Sequence, residues 1–255
     1  MSRQKGIIIN NLLKNWPKGT VVVYNWLKKQ GIYRQLADLY VKSGWIERIG
    51  RGAFKRSGEN IDWSGGVYAL QTQLGMSVHP GGKTALEIEG SAQYLPADFK
   101  QKKIVLFGSK GEKLPSWFKG IGWEIDIRYV MSGLFGKDIF VGFKSYSFGN
   151  YEIKISSPER AALELCYDVP LQQSFDEMDQ IMSGLLTLRP GMVQDLLEKC
   201  QSVKAKRLFM YIAEKHDHAW VGKIDLKRVD FGSGKRALCK NGYYDSKYKI
   251  VVPKK

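Results

Sequence analysis

The spacing of apolar residues divides the chain into a helical beginning, a strand-rich middle and a helical end. Apolar positions three and four residues apart predict a first helix over residues 5–15 and a second over residues 21–30. Thr20 is expected to cap the second helix, although the three valines after it favour a strand locally. A third helix follows the turn at Gly31, and the spacing gives it a buried face of Ile32, Leu36, Leu39 and Tyr40.

A short hairpin is predicted directly after the third helix. Gly44 is expected to end that helix, because a residue without a Cβ adopts the left-handed conformation readily. Residues 45–48 and 53–56 can then pair as two strands, with Arg51 at the tip of the turn. Three helices followed by a basic hairpin is the order of a winged helix-turn-helix, so this segment predicts a DNA-binding domain.

The polar side of the third helix and the hairpin carry side chains that can contact DNA. Residues expected in or near the major groove are Tyr33, Arg34, Gln35 and Asp38. Cations expected along the phosphates, with Arg51 able to enter the minor groove, are Lys42, Arg48, Arg51, Lys55 and Arg56. We therefore predict binding to double-stranded DNA through this surface.

Beyond the hairpin, the pattern alternates between helices and strands. The predicted helices cover residues 63–74, 83–89, 158–167, 174–186, 190–200 and 203–216. The predicted strands cover residues 104–107, 123–129, 139–143, 151–155 and 248–252. The fold class is therefore α+β, with a winged-helix domain and its trailing helices over residues 1–93 and a mixed α+β domain over residues 94–255.

Composition narrows the class of protein. The 255 residues are 44% hydrophobic and 12% aromatic, which is typical of a packed globular protein. No apolar run is long enough to cross a membrane, and no signal peptide is expected. The three cysteines match neither a disulfide framework nor a zinc site, so we expect a cytoplasmic protein without a metal or cofactor.

The net charge of +15 is concentrated at the two ends of the chain. Residues 1–60 carry 12 Lys and Arg against 3 acids, and residues 201–255 carry 14 against 5. The basic residues near the C-terminus are interleaved with Tyr243, Tyr244 and Tyr248, and comprise Lys204, Lys206, Arg207, Lys223, Lys227, Arg228, Lys235, Arg236 and Lys240. Such a surface suits RNA, single-stranded nucleic acid, an acidic protein or additional DNA backbone.

Three segments resemble the AbiEi antitoxins of type IV toxin–antitoxin modules. They are GWIERIGRGAFKR at the hairpin, the stretch from Gly65 to Leu95 that contains HPGGKTALE, and, more weakly, SSPERAALELCYDVP. The resemblance implies a non-enzymatic, phage-defence protein whose winged helix represses its own promoter at inverted repeats. It also implies that the C-terminal domain counteracts a nucleotidyltransferase-like toxin, without requiring a stable complex with it.

Other motifs have simpler interpretations. The GGKT segment at residues 81–84 lacks the first glycine of a P-loop, because Ser77 occupies that position, and GSGK at residues 232–235 is followed by Arg236 instead of Ser or Thr. Two of the three histidines, His216 and His218, are expected at the surface rather than on a metal.

Two alternative functions remain open at this point. One is a winged-helix regulator whose C-terminal domain senses a small molecule. The other is a metal-dependent nuclease that uses Asp138, Glu152 and Lys154, because alternation along a strand would place Glu152 and Lys154 on one face. An exposed strand face explains the same pair without any catalytic function.

Overall fold

A computed structural model describes residues 3–90, 103–136 and 141–254, and only the backbone of residues 3–7. The chain is a mixed α+β protein with several helices and small sheets. It forms two compact units, each assembled from three segments. Unit 1 comprises residues 1–79, 111–127 and 145–154, and unit 2 comprises residues 80–110, 128–144 and 155–255. The predicted domain division between residues 93 and 94 lies outside the described residues.

The helices are distributed along the whole chain. They are α1 (Arg3–Asn15), α2 (Tyr24–Lys29), α3 (Arg34–Lys42), α4 (Trp63–Thr72), α5 (Gly82–Ile88), α6 (Ser116–Gly120), α7 (Pro158–Asp168), α8 (Phe175–Ser183), α9 (Pro190–Lys199) and α10 (Val203–Lys215). The predicted helices after the hairpin are thereby confirmed, with ends that differ by at most three residues. In the described part of the chain, none has the length and apolar character needed to cross a membrane.

The strands are short and form several small sheets. They are β1 (Val22–Val23), β2 (Ile46–Gly50), β3 (Ala53–Arg56), β4 (His79–Pro80), β5 (Lys103–Ser109), β6 (Asp126–Ser132), β7 (Phe143–Ser147), β8 (Glu152–Ser156), β9 (Arg236–Ala237), β10 (Tyr243–Asp245) and β11 (Ile250–Val252). The three-stranded sheets have the orders β1-β3-β2, β4-β5-β6 and β10-β11-β9, and β7 pairs with β8. Part of the predicted strand over residues 139–143 lies outside the described residues, and β7 begins at Phe143.

The start of the second helix differs from the prediction. Val22 and Val23 form β1, which pairs antiparallel with Phe54 and Ala53 of β3, and α2 begins only at Tyr24. Thr20 does not cap the helix, because its hydroxyl donates a hydrogen bond to the carbonyl of Pro17, at 2.7 Å. Branched valines are restricted in a helix but fit a strand, and the free edge of β3 provides the partner.

The core of unit 1 forms under α3 as the spacing predicts. Ile32, Leu36 and Tyr40 are buried, and Leu39 is partly buried against the same core. The Trp16 indole is buried among them, and its Nε1 donates to the carbonyl of Thr20, at 3.0 Å. The outer side of α3 is therefore the side available for binding.

Helix α6 packs against the hairpin of β2 and β3. A Cβ added at Gly50 would lie 2.7 Å from the Cβ of Trp117, so the strand backbone sits directly on that residue. Trp123 packs its ring against Phe118 and donates from Nε1 to the carbonyl of that residue, at 2.9 Å. The strand predicted from Trp123 therefore begins only at Asp126, because Trp123 is held in a turn that follows α6.

Unit 2 encloses a large apolar core together with buried charges. The Glu164 carboxylate accepts hydrogen bonds from the backbone N–H of Gly82 at 2.9 Å, the hydroxyl of Ser156 at 2.8 Å and Nε of Arg160 at 3.0 Å. The Arg160 guanidinium lies 4.2 and 4.1 Å from the ring centres of Phe135 and Phe143. Each charge is paired and hydrogen-bonded, as burial requires.

Glu159 makes the stability of unit 2 depend on pH. Burial alone would raise the pKa of Glu159, but hydrogen bonds from the side chain and backbone of Arg189 and from Ser157 lower it to about 2. A depressed carboxyl pKa contributes stability that is present above the unfolded-state value, roughly 4.3, and is lost as pH falls toward 2.

We therefore expect Glu159→Gln to lower the unfolding free energy at pH 7 by about 2–3 kcal/mol, and this deficit should shrink between pH 5 and roughly pH 3. Urea unfolding followed by circular dichroism at stepped pH measures it. The matched control is Glu152→Gln, at an exposed position of β8. A deficit in unfolding free energy that stays constant down to pH 3 would show that folding does not lower the pKa of Glu159.

Candidate nucleic-acid interface

Helix α3 presents a polar outer face that begins at its first turn. Tyr33 is the residue before the helix; its backbone is extended and its side chain makes no capping bond. The helix therefore starts at Arg34, and Arg34 and Gln35 are exposed in its first turn. The Tyr33 ring is 56% exposed, so it is available for contact although it is aromatic.

The hairpin projects one cation at its tip. Glu47 faces Lys55 and Arg48 faces Phe54, while a bulge between Arg48 and Gly50 shifts the register before the turn. Gly52 has a φ of +72°, which a residue without a Cβ tolerates and which allows the tight turn. Arg51 is exposed at this turn. A guanidinium in this position can reach a phosphate or a narrow groove.

Two of the expected contact residues form an ion pair with each other. The Arg48 guanidinium lies 2.6 Å from the Asp38 carboxylate, and both side chains are about half exposed. On the hairpin, the Lys55 ammonium lies 3.0 Å from the Glu47 carboxylate. These pairs link α3 to β2 and β2 to β3, and they neutralise part of the positive charge. Among the described residues, the expected cations without an ion-pair partner are Arg34, Lys42 and Arg51.

Arg56 has a different environment from the other expected cations. Nη2 of its guanidinium donates to the carbonyls of Leu13 and Trp16 at the end of α1, and Nη1 lies 3.6 Å from the Glu59 carboxylate. The side chain is only 14% exposed. This arginine therefore holds the end of α1 against β3, and we do not include it among the proposed phosphate contacts.

The basic C-terminal region is partly interior, which corrects the sequence interpretation. Lys206 and Arg207 are buried, and the Lys204 ammonium donates to the carbonyls of Tyr167 and Val169. These residues lie on α10, a helix of unit 2 whose residues from Ala205 to Met210 are all buried. Exposed basic and aromatic residues on and beside the sheet of β9, β10 and β11 include Lys235, Arg236, Lys240, Tyr243 and Tyr244. Lys223, Lys227 and Arg228 are also exposed, on two short 3-10 turns that precede this sheet in the chain.

The GGKT segment contacts groups of the chain itself. The N–H of Gly82 donates to the Glu164 carboxylate, and the Lys83 ammonium pairs with Glu177. The Thr84 hydroxyl accepts from the N–H of Val105, at 2.9 Å. A carboxylate thus accepts from the N–H of Gly82, and residues Gly82 to Thr84 form the first turn of α5.

The possible nuclease residues do not form a site in the described structure. Glu152 and Lys154 are both exposed on β8 and Ile153 is buried, so the expected alternation is confirmed. Asp138 lies outside the described residues. Within the described ranges, no three His, Cys, Asp or Glu side chains lie close enough together to hold a metal ion.

The two C-terminal histidines are not both at the surface, contrary to the prediction. His218 is 4% exposed, its Nε2 lies 2.8 Å from the carbonyl of Met182, and its ring stacks on Trp220. Burial lowers the pKa of His218, so the ring is neutral at pH 7. His216 instead pairs with the Asp179 carboxylate, at 2.9 Å. Both contacts are structural.

Two family models together match almost the whole chain. The model of the AbiEi antitoxin N-terminal domain, described as a transcriptional regulator, matches residues 5–97. The model described as a transcriptional regulator, AbiEi antitoxin, type IV TA system, matches residues 101–253. A search of curated protein sequences finds no match.

A solved structure shares the fold. The crystal structure of the RV2827C protein from Mycobacterium tuberculosis superposes with a TM-score of 0.52 over 96% of this chain and 89% of that chain, at 14% identity. At this identity the likeness shows the fold alone.

The matches place the protein in the class of transcriptional regulators. The chain belongs to the AbiEi antitoxin family of type IV toxin–antitoxin systems. This family is non-enzymatic, so the interpretation of Asp138, Glu152 and Lys154 as a nuclease site is not retained.

Proposed function

We propose that the chain is a DNA-binding autorepressor that also counteracts a nucleotidyltransferase-like toxin in a phage-defence module. The observation that carries the DNA-binding half is the set of exposed, unpaired cations Arg34, Lys42 and Arg51 on α3 and the hairpin tip. The element order α1-β1-α2-α3-β2-β3 and the sheet order β1-β3-β2 support a winged helix-turn-helix.

In this proposal α3 enters the major groove of promoter DNA, at inverted repeats. Tyr33, Arg34 and Gln35 lie at the base edges, where arginine pairs best with guanine. Lys42 and Arg51 contact phosphates, and Arg51 can reach the minor groove. The Asp38–Arg48 ion pair fixes the angle between α3 and the hairpin, and Lys55 supports it from β3.

Two variants test the DNA contacts separately. Arg51→Ala should weaken binding to all sequences and reduce the slope of log affinity against log salt by about 1, because one phosphate contact is lost. Arg34→Ala should cost about 1–3 kcal/mol and relax preference at one base position. Mobility-shift titrations on the module's promoter at several salt concentrations measure both.

The matched control is Lys199→Ala, which removes one charge from an exposed position of α9 in unit 2. It should bind like the unmodified chain, because charge outside the interface contributes little at physiological salt. Unchanged affinity in both Arg51→Ala and Arg34→Ala would refute the proposed interface.

For the antitoxin half, we propose that the exposed surface of β9, β10 and β11 binds the toxin's nucleic-acid substrate, with RNA as the leading candidate. The Lys235 ammonium lies 5.2 Å from the ring centre of Tyr244, and the rings of Tyr243 and Tyr244 are 56% and 45% exposed. Exposed aromatic rings beside cations are suited to stacking with unpaired bases.

A growth assay separates this activity from repression. The toxin is expressed from an unrelated promoter together with the full-length chain, so that repression cannot protect the cells. Arg51→Ala should still rescue growth, whereas Tyr243→Ala combined with Tyr244→Ala should rescue poorly, because about 1–3 kcal/mol of stacking is lost per base. Equal rescue by both variants would contradict the placement of the antitoxin surface.

A further inference from the structure

A loop of unit 2 turns several of its carbonyls inward around a buried cation. We call residues 231–235, which lead into β9, the glycine loop. Three of its carbonyls accept hydrogen bonds from the Arg207 guanidinium at 2.6 to 3.0 Å, namely those of Phe231, Gly232 and Gly234. The two glycines have φ values of +62° and +71°, which residues without a Cβ adopt readily. Arg207 therefore fixes the direction in which the loop backbone faces.

The inward carbonyls leave two N–H groups that point outward. In a planar trans peptide, the N–H of one residue points opposite to the carbonyl of the residue before it. The peptide bonds of this loop are trans, so the N–H groups of Ser233 and Lys235 point away from Arg207, and both residues are exposed. Neither N–H donates to any described residue, whereas the N–H of Gly232 donates to the Asp230 carboxylate, at 2.7 Å. Two backbone donors are thus open to a ligand.

The positive charges at the loop are not balanced by acids. Arg207 is 1% exposed, and its guanidinium is bonded to carbonyls, without an ion pair to a carboxylate in the described chain. Lys235 and Arg236 are exposed and form no ion pair with a described acid. Asp230 is the one acid in residues 230–236. The three cations therefore outnumber the acids of this segment by two.

Arg236 lies close enough to Arg207 for the two positive charges to repel each other. Burial, and then the charge of Arg236, lowers the pKa of the Arg207 guanidinium. Both side chains nevertheless remain protonated, as arginine does in proteins. A buried charge is normally paired with one of opposite sign, and an anion bound over the loop would supply it.

We propose that the glycine loop binds a phosphate group. The phosphate oxygens accept from the N–H groups of Ser233 and Lys235, and the side chains of Lys235 and Arg236 compensate the charge. Backbone N–H groups of a turn, placed beside cations, form anion sites of this kind. The site differs from a P-loop, because a strand follows it and Arg236 stands where the magnesium-binding hydroxyl would be.

This site adjoins the nucleic-acid surface proposed above but does not rest on it. The Lys235 ammonium lies 5.2 Å from the ring centre of Tyr244, so a phosphate at the loop would lie beside a base stacked on that ring. A free phosphate or a nucleotide offers the same oxygens as the backbone of a strand. The test therefore distinguishes these sources.

Amide NMR of the full-length chain tests the site at the two donors. The probes are inorganic phosphate, uridine 5′-monophosphate and an oligouridylate with a 5′-hydroxyl, each titrated at constant ionic strength against chloride. The amide proton signals of Ser233 and Lys235 should shift downfield and saturate with at least one probe, because they gain a charged acceptor. A response to phosphate or the nucleotide identifies a free or terminal phosphate, and a response to oligouridylate alone identifies a strand. No saturable shift with any probe overturns the inference.

The variant Lys235→Gln with Arg236→Gln separates the loop from the rest of the basic surface. Affinity for the responding probe should fall about tenfold or more, because two charge-assisted contacts are lost. The matched control is Lys199→Gln with Lys223→Gln, which removes two exposed charges elsewhere in unit 2 and should bind nearly as well as the unmodified chain. Unchanged affinity in the loop variant places the phosphate elsewhere and overturns the inference.

The ring signals of Tyr243 and Tyr244 keep this test separate from the proposed function. If oligouridylate shifts the ring signals while the amides of Ser233 and Lys235 respond to no probe, the nucleic-acid surface stands and the phosphate site is wrong. If phosphate shifts the two amides and oligouridylate shifts neither set of signals, the phosphate site stands and the proposed nucleic-acid surface is wrong.

Discussion

Arg207→Met is expected to destabilise the chain by about 3–5 kcal/mol, because four backbone carbonyls lose a charged donor inside the protein. The Arg207 guanidinium donates to the carbonyls of Phe231, Gly232, Gly234 and Lys249, at distances from 2.6 to 3.1 Å. The side chain is 1% exposed. A single residue of α10 thus fixes the segment that leads into β9 and the residue before β11.

Urea unfolding followed by circular dichroism measures this effect. Arg236→Met is the matched control, because it makes the same change at an exposed position of β9 and should shift the midpoint very little. Arg207→Lys keeps the charge but cannot reproduce the planar fork of donors. Its unfolding midpoint should therefore lie between those of Arg207→Met and Arg236→Met. An Arg207→Met midpoint equal to that of Arg236→Met would show that the four hydrogen bonds contribute no net stability.

Glu164→Gln should have a comparable effect, about 3–5 kcal/mol, because it leaves the buried Arg160 without a counter-charge. The Glu164 carboxylate accepts from the N–H of Gly82 and the hydroxyl of Ser156 as well as from Arg160. The NH₂ group of a glutamine would face one of these donors and could not accept a hydrogen bond from it. The same urea titration measures the loss.

The double variant Arg160→Met with Glu164→Leu provides the control for this pair. Replacing both members of a buried ion pair by apolar groups is far less harmful than removing one, so the double variant should recover part of the stability. A double variant that is less stable than Glu164→Gln alone would show that Arg160 acts independently of the carboxylate. The recovery should remain incomplete, because the N–H of Gly82 still loses its acceptor.

Local spacing was sufficient to predict the hairpin and most of the helices, but not α6 or the start of α2. The buried face of Ile32, Leu36 and Tyr40 repeats within one element, so the sequence alone specifies it. Strand β1 is different, because Val22 and Val23 become a strand only when β3 is present as a partner. A pattern within one segment does not contain that information.

The expected site residues show the same limit. Exposure of Arg34 and Arg51 follows from their positions on a helix face and at a turn. The inward direction of Arg56 depends on carbonyls at the end of α1, and the burial of Arg207 depends on a loop that begins 24 residues later. Positive charge in a sequence therefore indicates an exposed cation only where local geometry also exposes the side chain.

The interleaving of the two units has a consequence for how the protein can form and be divided. Unit 1 takes its last segment from residues 145–154, so a ribosome must synthesise more than half of the 255 residues before that unit can close. A genetic cut after residue 90 would remove Trp117 from beneath the hairpin and leave residues 111–127 and 145–154 on the other fragment. The helix and hairpin proposed to bind DNA are therefore not a detachable module, and loss of one function by truncation would not reveal where that function resides.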